Sequence, residues 1–228
     1  MLFLANDLPW QFNDPIDHDH IFTHISCDYN LRPKEGSYSF GLGIGPYTAA
    51  RNCFMKKDLG GLVLDYAYEF FETYKKDRKY FQARIISAHE FTGENNWYVD
   101  EELEKFLRKF EKAGHLNNTL LMVYSDHGDH INYFMWSTIS GYAEMVNPFM
   151  FIVVPEVLDR VIGPNLQANQ QRLISHFEIF RSVVKYFGSE LESHAVKGPN
   201  IFYEVIPAKR TCIDAKVDIE CRCFPKIN

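Results

Sequence analysis

The chain has 228 residues, of which 46% are hydrophobic and 24% charged, so disordered and collagen-like proteins are excluded. Lysine and arginine number 24 against 30 aspartate and glutamate residues, and the net charge of −6 argues against nucleic acid as a partner. The longest apolar run, 149–154, is far shorter than the roughly 18–20 residues of a membrane span, so no span is expected. The first residues lack the basic start and the apolar length of a secretory signal peptide.

Helices and strands are predicted to alternate along the chain. Residues 8–60 are rich in Gly, Pro, His and Asp and are predicted to be mostly loop. Three stretches carry apolar residues at helical spacing: 61–76, 100–113 and 170–187. Three short apolar runs are typical of buried strands: 83–88, 119–124 and 149–154. This order predicts an α/β fold with a mainly parallel sheet flanked by helices.

Two of the predicted strands end in titratable residues, and ligands bind beyond the carboxyl ends of parallel strands. His89 and Glu90 follow one strand, and Asp126 and His127 follow another. An adjacent Asp and His offer an oxygen and an imidazole nitrogen, a ligand pair suited to Zn, Mn or Mg. The segment 125–128 also suits a turn with a hydrogen-bonded Asp, so both interpretations stay open at this point.

Other histidines are weaker candidates. His18, His20 and His24, which form a cluster with Asp17 and Asp19, are predicted to lie in a solvated loop rather than in a metal site. Asp129 and His130 are predicted to be exposed or to lie outside the ligand set, although His130 could extend the site.

Five cysteines occur, and three of them are concentrated near the C-terminus: Cys212, Cys221 and Cys223. This cluster predicts a disulfide-tied tail and an oxidising compartment. The sequence 117–119, Asn-Asn-Thr, is a glycosylation sequon in a predicted turn.

The segment 116–128, with Ser-Asp-His-Gly after an apolar strand, resembles the alkaline-phosphatase-like superfamily, which includes sulfatases and phosphodiesterases. Further motifs resemble an uncharacterised sulfatase-like branch found in animals and protists. They follow in the same order as in that branch: 89–94, 147–149, 169–173, 210–215 and 221–223. The resemblance covers roughly residues 50–223.

The resemblance implies a metal-dependent hydrolase of phosphate or sulfate esters. It makes Asp126 and His127 ligands of a divalent metal ion (Zn, Mn, Mg or Ca), and it implies an anionic ester as the substrate. His89 matches a histidine that faces the substrate and could bind the ester oxygens or protonate the leaving group. Full-length relatives of this kind are secreted or membrane-associated, whereas the location of this chain is left open.

The match has one departure. In the family, residues 1–7 resemble a region that comes after two other elements. These elements are a strand that carries an acidic metal ligand and a helix that begins with the nucleophile. The chain is therefore expected to be a C-terminal portion, inactive alone, with a partial alkaline-phosphatase-like domain over 1–206 and a Cys-rich tail over 207–228. An exposed sheet edge would then favour a homo-oligomer. The alternatives are a non-catalytic binding protein with a degenerate form of this fold, and an unrelated α/β protein.

Overall fold

In this computed structural model, the residues described are 2–6, 21–22, 53–54, 57–85, 95–131, 133–187 and 198–217. The chain divides into two compact units. The first comprises residues 1–115 and 129–134, and the second comprises residues 116–128 and 135–228. Within the described ranges, we found no helix whose length and apolar character would let it cross a membrane.

The first unit contains a small parallel sheet. Strand β1 (Leu2–Asn6) lies between β2 (Ile21–Phe22) and β5 (Tyr80–Arg84), and it pairs with both in parallel. A separate antiparallel ribbon joins β3 (Cys53–Phe54) to β4 (Lys57–Asp58). The predicted strand over 83–88 is thus shifted toward the N-terminus, and residues 86–88 lie outside the described residues.

Two helices lie in the described part of residues 1–115. Helix α1 (Leu59–Thr73) and helix α2 (Asn95–Lys112) agree with the helices predicted over 61–76 and 100–113, and both begin earlier than predicted. Aromatic rings join them, as in the edge-on contact of Phe71 with Phe110 at 4.8 Å between ring centroids. After α2, Gly114 adopts the left-handed conformation that often ends a helix.

The second unit contains an antiparallel pair of strands, β6 (Leu121–Tyr124) and β7 (Met150–Val153). Both were predicted as strands, but the predicted parallel sheet covered on both faces is wrong at this point. One face packs on the core through residues such as Met122 and Ile152, which lie opposite each other. On the other face, Phe151 is 67% exposed.

The connection between the two strands explains their antiparallel direction. It contains two short helices, α3 (Tyr133–Ser137) and α4 (Ile139–Val146), and the Thr138 side chain caps the start of α4. The N–H of Gly128 donates to the carbonyl oxygen of Met145 at 2.9 Å, so the end of α4 stays beside the end of β6. The chain does not cross back along the sheet, and β7 therefore begins where β6 ends.

Three further helices surround the core of the second unit: α5 (Glu156–Asn169), α6 (His176–Tyr186) and α7 (Cys212–Ala215). The fully buried core residues are Ile162 and three residues after Asn200, namely Ile201, Phe202 and Ile206. Asn169 is buried and ties this segment to α5, because its amide donates to the carbonyls of Ile201 and Glu204 and accepts from the N–H of Ile206.

The helix predicted over 170–187 is correct only from His176 onward, and helix α5 was not predicted. Gly163 and Pro164 lie inside α5, and both residues lower the intrinsic tendency to form a helix. Cys212 is disulfide-bonded, as predicted for the tail, while Cys221 and Cys223 lie outside the described residues.

Candidate functional site

The end of β6 is fixed by Ser125. Its backbone N–H donates to the carbonyl oxygen of Phe149 at 3.1 Å, and the N–H of Phe149 donates to the Ser125 hydroxyl oxygen, also at 3.1 Å. Ser125 therefore extends the pairing of β6 with β7 by one residue and sets the point at which Asp126 leaves the sheet.

The next two residues form an exposed carboxylate–imidazole pair. The backbone N–H of His127 donates to Asp126 Oδ1 at 3.0 Å, and His127 Nδ1 lies 2.6 Å from the carbonyl oxygen of Gly128. A carbonyl oxygen only accepts hydrogen bonds, so Nδ1 carries the proton and Nε2 keeps a lone pair in the neutral ring. That nitrogen lies 3.7 Å from Asp126 Oδ2.

This arrangement fits two ligands of one metal ion. A metal-binding histidine usually donates its second ring N–H to a carbonyl or carboxylate oxygen, as His127 does to Gly128. Metal–ligand bonds of about 2.1 Å in a tetrahedral site place two ligand atoms about 3.4 Å apart. The observed separation of 3.7 Å between Nε2 and Oδ2 is close to that value, so little movement would be needed.

Gly128 allows the loop to lie against α4. A Cβ atom at this position would overlap the carbonyl oxygen of Glu144 and would lie 2.7 Å from its carbonyl carbon. Any larger residue would therefore separate the loop from α4 and break the hydrogen bond to Met145. The glycine of the Ser-Asp-His-Gly motif is explained here by close packing of backbone on backbone.

His176, the first residue of α6, contacts the loop from another side. Its Nε2 lies 3.2 Å from the carbonyl oxygen of Ser125, so the ring donates to the residue that precedes Asp126. This contact could not be read from the sequence, since 51 residues separate the partners.

A buried network holds the start of α6. The N–H and the hydroxyl of Ser175 both donate to Oε2 of Glu178 at 2.7 Å, which forms a capping box. Oε1 of Glu178 pairs with Arg210 at 2.7 Å, and the two side chains are only 1% and 7% exposed. Arg210 also donates to the carbonyl oxygen of Leu173. The position of His176 therefore depends on a buried ion pair.

The phenol of Tyr124 lies beside the carboxylate. Burial raises the pKa of Tyr124, and the negative charge of Asp126 raises it further. The phenol is therefore a neutral hydrogen-bond donor over the physiological pH range, at the last residue of β6.

Of the remaining sequence candidates, the structure describes Asp129 and His130. His89, Glu90 and the cluster of His18, His20 and His24 lie outside the described residues. Asp129 and His130 fall in the first unit, where Asp129 accepts from the backbone N–H of Ile131 at 2.9 Å. Across the described ranges, no group of three or more His, Cys, Asp or Glu side chains is arranged to hold a metal ion.

The fold and the site define a mixed α/β protein with an aspartate–histidine pair at the end of a strand. The model of a family described as "Protein of unknown function (DUF229)" matches residues 17–228, and the chain belongs to this family. The family is sulfatase-like. No curated protein and no solved structure matches the chain significantly.

Proposed function

We propose that this chain supplies two metal ligands, Asp126 and His127, to a hydrolase of phosphate or sulfate esters. The observation that carries the proposal is the geometry around His127. Its Nδ1 lies 2.6 Å from the carbonyl oxygen of Gly128, and its Nε2 lies 3.7 Å from Oδ2 of Asp126. Membership of a sulfatase-like family supports the class of reaction.

Each residue of the loop then has a physical role. Asp126 gives a negatively charged oxygen, and His127 gives a neutral nitrogen whose ring orientation is held by Gly128. Ser125 and His176 fix the backbone from which both side chains extend. A divalent cation bound there supplies Lewis acidity toward an ester oxygen. Asp126 and His127 would hold the cation.

The finer features of the fold and substrate belong to the same proposal. An alkaline-phosphatase-like core would place His89 near the ester, where an imidazole can bind an anionic oxygen or protonate the leaving group. The disulfide at Cys212 supports a location that is secreted or on the outer side of a membrane, because disulfides persist in oxidising compartments.

The proposal is tested by thermal unfolding of the full chain with Zn, Mn, Mg and Ca titrated separately. Binding to the folded state stabilises it by about 2.7 kcal/mol when the free metal is 100-fold above the Kd. Asp126→Asn and His127→Ala should each abolish the shift in melting temperature. Glu144→Gln is the matched control, since it removes one exposed negative charge next to the loop without removing a proposed ligand.

Hydrolysis of aryl phosphate and aryl sulfate esters is measured in parallel. Metal-dependent turnover that both ligand variants lose would support the hydrolase. Metal-dependent stabilisation with tight binding of the ester but no turnover is expected both of a hydrolase portion that is inactive alone and of the non-catalytic binding protein, so only turnover decides between the two. The proposal fails if no cation stabilises the chain, or if the stabilisation persists in Asp126→Asn and His127→Ala.

A further inference from the structure

We infer that Asn117 carries an N-linked oligosaccharide, which makes the turn before β6 a modification site. The sequence 117–119, Asn-Asn-Thr, is the single N-x-Ser/Thr sequon of the chain. Such sequons occur by chance in many sequences, so the inference depends on two structural observations. These are the exposure of the acceptor side chain and the oxidation state of Cys212.

The acceptor lies on an exposed turn. Asn117 ends a short 3-10 helix, His115–Asn117, and the chain then continues through Asn118 into β6. Asn117 and Asn118 are both exposed, whereas Thr119 is half-buried. Among the hydrogen bonds between described residues, none uses the Asn117 side chain. Among the described residues of the second unit, an attached glycan would therefore displace no packed side chain.

The compartment is indicated by a separate feature of the chain. Cys212 is disulfide-bonded, and such bonds form and persist where secreted and cell-surface proteins fold. N-linked oligosaccharides are added in the same secretory pathway. The exposed sequon and the disulfide are far apart in the sequence and do not depend on each other, so their agreement strengthens the inference.

The modification is compatible with the candidate site. Asn117 precedes β6 and Asp126 follows it, so the two residues lie at opposite ends of the strand. Four residues at about 3.3 Å each place these ends about 13 Å apart. An oligosaccharide at the first end would cover that end of the strand and leave the aspartate–histidine pair accessible.

The reaction is a glycosyl transfer without any change in oxidation state. A bond forms between the amide nitrogen Nδ2 of Asn117 and C1 of the first sugar of a polyprenyl-diphosphate-linked oligosaccharide. The bond between that C1 and the diphosphate oxygen breaks, and the lipid diphosphate leaves with the electron pair. The amide nitrogen loses one proton to the medium.

The test is synthesis of the full chain behind a cleavable signal peptide in the presence of endoplasmic-reticulum membranes, with protease protection to identify translocated chains. We expect one discrete increase in mass, reversed by an N-glycosidase that converts the acceptor Asn to Asp, and peptide mass spectrometry should locate the change at residue 117. Asn117→Gln and Thr119→Ala should lose the modification.

Two matched variants keep the sequon intact. Asn118→Gln changes the neighbouring exposed amide, and Thr119→Ser keeps the hydroxyl, so both should remain modified. The inference is overturned if translocated wild-type chain carries no glycan, or if Asn117→Gln is still modified. The metal titration on unglycosylated protein tests the proposed function separately, so either idea can fail without the other.

Discussion

Replacement of Arg210 by Met should strongly destabilise the second unit. The guanidinium of Arg210 pairs with Glu178 at 2.7 Å, and both side chains are almost fully buried. Met can fill the space of the arginine stem but leaves the Glu178 carboxylate buried without a counter-charge. Removing one partner of a buried pair costs about 3–5 kcal/mol, and the lost bond to the Leu173 carbonyl adds about 1 kcal/mol.

A loss of about 4 kcal/mol or more is a large part of the total stability of a typical domain, which is about 5–15 kcal/mol. The assay is urea unfolding at neutral pH, followed by circular dichroism and by tryptophan fluorescence. The matched control is Arg108→Met in α2, because Arg108 pairs with Glu104 on the surface with exposures of 76% and 60%. Exposed pairs contribute about 0–1 kcal/mol.

The cause of the loss is identified by a second change at Glu178. Glu178→Gln removes the buried charge but keeps an amide oxygen that can accept from Ser175 at the start of α6. The double variant R210M/E178Q should therefore be more stable than Arg210→Met alone. The reasoning is refuted if Arg210→Met costs no more than Arg108→Met, or if Glu178→Gln does not restore stability in the Arg210→Met background.

Three further changes test the loop after β6 and the tail. Gly128→Ala should lower the free energy of unfolding by about 1–3 kcal/mol, because the Cβ of the alanine would overlap the backbone at the end of α4. The variant should also lose the metal-dependent shift in melting temperature. An unchanged shift would contradict the close packing of the loop on α4. His176→Ala should weaken Mn binding, measured by calorimetry, more than His176→Gln does. The reason is that the glutamine amide N–H can still donate to the Ser125 carbonyl oxygen. Equal Mn affinities in the two variants would exclude a positioning role for His176. The pKa of Asp214 is lowered mainly by a hydrogen bond from the backbone N–H of Thr211, and also by one from the Thr211 hydroxyl. The Asp214 carboxylate therefore stabilises the folded state above its unfolded-state pKa, and this stabilisation is lost as the pH falls through the folded-state pKa. Asp214→Asn should therefore show a smaller fall in melting temperature between neutral and acidic pH, and parallel curves for the two proteins would contradict the assignment.

The elements that local patterns specify could be predicted from the sequence. Helices α1 and α2 have apolar residues at helical spacing, and β6 is a continuous apolar run, so each was recognised to within a few residues. The Asp126–His127 pair was found for the same reason, because it follows directly after that run. In these segments the residues that determine the structure are neighbours in sequence.

The features that the sequence did not reveal depend on contacts between distant residues. Helix α5 contains Gly163 and Pro164, yet the Asn169 amide binds carbonyls 32 and 35 residues away and stabilises the end of this helix. The direction of β7 depends on where α4 is held, which is decided by the contact of Gly128 with α4. Periodicity carries no information on such contacts.

The contacts around the Asp126–His127 loop also bear on how tightly a metal could be held. Pairing with β7 fixes Ser125, packing against α4 fixes Gly128, and the Gly128 carbonyl orients the His127 ring. The conformational entropy of this loop is therefore lost when the chain folds and not when the metal binds. The affinity of the proposed site is then limited by the number of ligands and not by loop order. Ligands from other segments would therefore raise the affinity without rearranging Asp126 or His127.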